Sequence, residues 1–98
     1  MQYAIFDNVT QEYFCEDGTW LSVRLDQDVV TTDKDIQLYR DDDKAIAKIA
    51  ELKTELRNLN PAREIDFALH SFDREVCYIL EPVLTEAVLA KVEAINRA

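Results

Sequence analysis

Residues 41–59, DDDKAIAKIAELKTELRNL, decide how this chain folds, because the apolar period changes there from two to about 3.6. Ala45, Ile46, Ile49, Leu52, Leu56 and Leu59 fall on one stripe, while Lys44, Lys48, Glu51 and Glu55 lie mostly off it. Asp41 or Asp42 is placed to cap the first turn, since a short side-chain oxygen accepts from the N–H groups that a helix start leaves unpaired. More acid in that turn suits the positive end of the helix dipole. Asn60-Pro61 predicts the stop, because a residue before proline avoids the α region.

Upstream of this helix the period is two. QYAIFD (2–7) and EYFCE (12–16) are short aromatic and apolar runs separated by the turn formers NVTQ, and predict a β-hairpin. Asp17-Gly18 holds the single glycine and signals a second tight turn. TWLSVRL (19–25) then alternates as a third strand, with Trp20, Ser22 and Arg24 on one face and Leu21, Val23 and Leu25 on the other. DVVTT and IQLYR are weaker strand candidates.

Downstream, EIDFALHSF (64–72) and EVCYILEPV (75–83) form another strand pair. Ile65, Phe67, Leu69 and Ser71 share a face of the first, and Val76, Tyr78 and Leu80 a face of the second, which Pro82 stops. TEAVLAKVEAINRA (85–98) closes the chain as a helix. Thr85 is its N-cap, Val88, Leu89, Val92 and Ile95 its apolar stripe, and Leu84 closes on Leu89 as a staple. The expected fold is α+β: an antiparallel sheet of about five strands with two helices on one face, in the order β-β-β-α-β-β-α.

At 98 residues, 48% hydrophobic and 32% charged, residues 1–98 read as one globular domain with one ordinary core. No apolar run approaches a membrane span, and the N-terminus lacks the basic-then-apolar pattern of a signal peptide. Cys15 and Cys77, the only cysteines, form neither a disulfide framework nor a metal knuckle. These features predict a cytoplasmic protein.

Charge is the informative quantity. The net charge is −9, unevenly spread. Residues 1–43 hold eleven acids against three bases, and residues 44–98 nine against eight. Such a surface repels nucleic acid and anionic membrane but steers a basic protein toward itself.

Enzymatic chemistry finds little to work with. His70 is the one histidine, and in a strand it points away from its neighbour Ser71, so the two form no dyad. A chain with one glycine supplies no phosphate-binding loop. Zinc lacks ligand spacing. The acidic loop lacks the glycine and the twelfth-position glutamate of a helix-loop-helix calcium site. Paired aspartates in a polar loop show no desolvation of the kind acid–base catalysis requires. The expectation is a non-enzyme with no catalytic residues, no cofactor and no specific metal.

Interest therefore centres on residues 26–43, DQDVVTTDKDIQLYRDDD, where seven of eighteen residues are aspartate and only Lys34 and Arg40 oppose them. If DQD and DKD are extended, their carboxylates project to one side about 7 Å apart, comparable to phosphates along a nucleic-acid strand. Asp26, Asp28, Asp33, Asp35, Asp41, Asp42 and Asp43 are thus the expected partner-binding residues, with Trp20 as an aromatic anchor at the rim. The plain alternative is a solvated loop with a helix cap.

A small acidic chain opening with YAIFDNVTQEYFCEDGTW (3–20) and leading to IQLYRDDDKAIAKI (36–49) resembles the small accessory proteins encoded by phages and other mobile elements. Some of these are DNA mimics, anti-restriction or anti-CRISPR inhibitors. The resemblance implies an inhibitor working in the host cytoplasm on a basic protein or nucleoprotein complex, with no direct nucleic-acid or membrane binding. A second expectation is a structural or regulatory domain that oligomerises, as a homodimer for instance, through apolar surface.

Overall fold

The computed structural model describes residues 2–22, 36–73, 78–80 and 86–98, with the backbone alone for 71–73 and 78–80. The elements run β1 (Gln2–Asp7), β2 (Glu12–Phe14), β3 (Trp20–Ser22), β4 (Leu38–Tyr39), α1 (Asp42–Leu59), β5 (Phe67–Asp73), β6 (Tyr78–Leu80) and α2 (Glu86–Arg97). The α+β fold is as expected. Its antiparallel sheet follows the order β3-β2-β1-β5-β6, and the short β4, within the weaker candidate IQLYR, also pairs with β1.

β1 is the centre of the sheet. It pairs with β5 along its whole length, from Gln2↔Phe72 to Asp7↔Phe67. Its other edge is shared by β2, through Phe6↔Tyr13, and β4, through Ala4↔Leu38. The apolar run Ala4-Ile5-Phe6 is buried throughout, as a strand covered on both faces requires. Alternation then divides the core. Ile5 packs with Phe14, Phe67 and Leu69 and with the buried residues of both helices. Ala4 and Phe6 belong to a second cluster with Tyr13 and Ile36, bordered by Leu21 and Leu38.

Turn chemistry explains the hairpins. At the end of β1 the Val9 N–H donates to Asp7 Oδ1 at 2.9 Å, and the Gln11 N–H to the Asp7 carbonyl at 2.8 Å. Gln11 adopts φ 61°, a left-handed position that strains a side-chain-bearing residue. Between β2 and β3, Gly18 takes φ 83° and its N–H donates to the Cys15 carbonyl at 3.0 Å. Asp17 Oδ1 accepts from the Thr19 N–H and hydroxyl, closing that turn.

α1 begins and ends as expected. Asp41 is extended (φ −112°, ψ 123°), its side chain accepts from the Asp43 N–H, and Asn60 before Pro61 is extended again. Ala45, Ile49 and Leu52 are buried, and Ile46 and Leu56 border the core. Leu59 departs from the expected stripe: it is 84% exposed in the last turn, where Asn60 leads the chain away. In α2, Val88 and Val92 are buried and Ile95 borders the core, a spacing of four then three. Leu89, 47% exposed, also leaves the stripe, because it stands about 100° around the helix from Val88. Thr85, Leu84, Val76, DVVTT and the second half of TWLSVRL lie outside the described residues, as does the side chain of Ser71.

Candidate protein-binding surface

Three of the seven expected acids can be placed. Asp41, Asp42 and Asp43 sit at the start of α1, with Asp41 and Asp43 exposed and Asp42 half-buried. Asp41 is committed to capping, at 3.0 Å from the Asp43 N–H. Each of the three offers a carboxylate oxygen, and these oxygens lie within 4.8 Å of one another. Exposed acids at a helix start are also ordinary dipole partners, so their proximity alone defines no metal centre. Among the described residues the cation paired with them is Lys91 of α2, with Nζ 3.5 Å from Asp43 Oδ1 and both side chains more than half exposed. A pair so wet contributes little. Asp26, Asp28, Asp33 and Asp35 lie outside the described residues, so the geometry of DQD and DKD does not enter.

Trp20 is placed differently from a bare surface anchor. Its ring is half-buried, edge-on to Phe14 at 5.3 Å between centroids and stacked over Phe67 at 6.0 Å with 12° between planes. It thus flanks the helix-side cluster, and its apolar area goes largely into packing the β2–β3 end of the sheet.

His70 belongs to an aromatic cluster of the sheet. His70 Nδ1 and the Tyr13 hydroxyl are 2.6 Å apart, and Phe6 stacks on the imidazole at 4.7 Å. Burial lowers the His70 pKa below its usual value, and burial also pushes the Tyr13 phenol up to about 12. A neutral imidazole accepting at Nδ1 from a protonated phenol pairs the Tyr13 hydroxyl with that nitrogen inside an aromatic cluster. Cys15 is fully buried, with Sγ 3.8 Å from the Tyr13 carbonyl. Cys77 lies outside the described residues.

Sequence reasoning missed three polar contacts that hold this scaffold. Arg63 forms an ion pair with Asp7, the buried acid at the end of β1. Asn96 of α2 pairs with the backbone of Phe67 through both ends of its amide, each contact 2.9 Å. Lys53 of α1 donates to the Ile95 carbonyl at 2.6 Å and to the Ala98 carbonyl, neutralising the negative end of α2. Partners 56, 29 and 42 positions away leave no local pattern to read.

Among the described residues no helix is long and apolar enough to cross a membrane. No protein family, curated protein or solved structure matches the chain.

Proposed function

We propose that the chain is a non-enzymatic protein-binding domain that turns an acidic side toward a basic, nucleic-acid-binding partner in the cytoplasm, and so keeps that partner from its substrate. The observation that carries this reading is the Asp41–Asp43 cluster. A helix start needs one capping acid, and Asp41 does that work. Asp42 and Asp43 add charge that repels itself; the helix dipole offsets part of it, and among the described residues the ion pair these acids make is the wet contact of Asp43 to Lys91. The same imbalance runs through residues 1–43, which hold eleven of the twenty acids. A Lys/Arg-lined groove would relieve this repulsion and gain from it in association rate.

The test is capture from a nuclease-treated bacterial lysate with tagged protein, eluted by rising salt, beside the variant Asp42→Lys/Asp43→Lys. A nucleic-acid-binding protein released by salt, displaced by duplex DNA and lost with the variant supports the proposal. Retention of that partner by the variant, or capture indifferent to salt, overturns it. The second reading, oligomerisation through apolar surface, draws on the exposed Leu59 and Leu89. A concentration-dependent sedimentation coefficient unaffected by salt is its signature.

A further inference from the structure

We propose that the groove between the C-terminal halves of α1 and α2 binds a small amphipathic carboxylate, an apolar body carrying one anionic head. The groove has a volume of about 430 Å³, inside the range of about 300–1,000 Å³ usual for ligand pockets. Ala50, Ile95 and the Ala98 methyl contribute apolar lining, and Lys53, Thr54, Arg57 and Asn58 the polar lining. No aspartate or glutamate lines it, in a chain with twenty of them. With Lys53 held by the backbone oxygen of Ala98, Arg57 is the cation that gives the lining positive charge, on a molecule whose net charge is strongly negative.

The two cations are not equivalent. Lys53 is fixed in the wall by the Ile95 and Ala98 carbonyls, and its charge is spent on the end of α2. Arg57 is exposed, and its side chain has no ion pair or hydrogen bond among the described residues. Its neighbours three and four positions back are Thr54 and Lys53, and those ahead are Asn60 and Pro61, so its own helix offers no carboxylate at the facing positions. A cation in the last turn of α1 complements that helix's dipole. That role accounts for a positive charge at the helix end, but leaves the guanidinium's planar fork of donors beside an apolar hollow without an acceptor. A carboxylate fits this fork better than a cation or a neutral head does. The head would sit on Arg57 and the body along Ile95 and Ala50. A single negative charge meets little long-range repulsion at physiological salt, whereas a polyanion is kept away by the whole surface. The groove is also remote from the acidic cluster, since fourteen residues of helix separate Asp43 from Arg57 by about 21 Å.

The test is a titration of the isotope-labelled protein with octanoate, followed by amide chemical shifts, with 1-octanol and octylammonium as matched probes and Arg57→Gln as the variant. Saturable shifts at Ala50, Thr54 and Ile95 are expected with octanoate, with a dissociation constant on the order of 1 mM. Arg57→Gln should weaken this by about fivefold while leaving the rest of the spectrum in place. Equal binding of all three probes, an unchanged constant in the variant, or no saturable shift overturns the proposal. None of these outcomes bears on the acidic surface, which lies at the other end of α1.

Discussion

Arg63 Nη2 lies 2.6 Å from Asp7 Oδ2, joining the segment after α1 to the end of the central strand. Asp7 is 1% exposed and also accepts from the Val9 N–H, so one carboxylate holds both the β1–β2 turn and the approach to β5. Its burial is tolerable only while both oxygens are satisfied. Arg63→Met leaves the charge inside without its partner and should cost about 3 kcal/mol. Asp7→Asn/Arg63→Met removes the charge yet keeps an acceptor for Val9, and should cost less than Arg63→Met alone. Urea denaturation of the two variants checks this. Equal or greater loss in the double variant would mean that the pair contributes chiefly through something other than charge compensation.

Asn96 acts as a piece of strand. Its Oδ1 accepts from the Phe67 N–H and its Nδ2 donates to the Phe67 carbonyl, so the side-chain amide completes β5 where β6, pairing only from Ser71 to Asp73, does not reach. Asn96→Ala strands two backbone groups and should destabilise by about 2 kcal/mol. Asn96→Asp should be worse, because a carboxylate keeps the acceptor and turns negative charge toward a carbonyl. Thermal melts at neutral pH separate the two variants.

The helices show what the sequence made legible and where it stopped. Capping acid, proline stop and the 45–49–52 stripe are local signals, and each is found in α1. The strand pairs were legible for the same reason, since alternation sorts Ile5 and Phe6 to opposite faces before any partner is known. What could not be read is a choice among equals. Leu89 and Val88 are similar apolar neighbours on the sequence, and only the direction in which α2 meets β5 buries one and exposes the other. Leu89→Gln should therefore change stability by less than about 0.5 kcal/mol, whereas Val92→Ala should cost about 2 kcal/mol. The candidate surface was legible as composition, through its aspartates. Its geometry was not, because carboxylates carry no apolar period to report which way they face.

Asp41 and Asp43 look alike in sequence but have different tasks. Asp41→Ala removes the acceptor for the Asp43 N–H and should cost about 1 kcal/mol, while Asp41→Asn should be nearly neutral. Asp43→Ala should change stability by less than about 0.5 kcal/mol, since its pair with Lys91 is exposed. Partner capture should show the reverse order, with Asp43→Ala more damaging than Asp41→Asn. Chemical denaturation and a salt-graded binding assay on the same three variants would reveal whether capping and recognition are divided in this way.

The Tyr13–His70 pair predicts how stability depends on pH. Burial lowers the His70 pKa in the fold below its unfolded value of about 6.5. As pH falls through that value the unfolded chain takes a proton that the folded chain resists, so stability drops with acidification below neutrality. At the alkaline end the sign is opposite. Tyr13 is held protonated up to about 12 in the fold, while an unfolded tyrosine ionises near about 10. Stability should therefore fall as pH rises from the second value toward the first. Melting temperatures of wild type and His70→Gln between neutrality and mild acid should converge as pH falls, because glutamine has no proton to take up. Tyr13→Phe should flatten the alkaline limb in the same way, and ultraviolet titration should show one of the four tyrosines ionising last. Parallel curves for wild type and His70→Gln would place the acid sensitivity on the carboxylates instead.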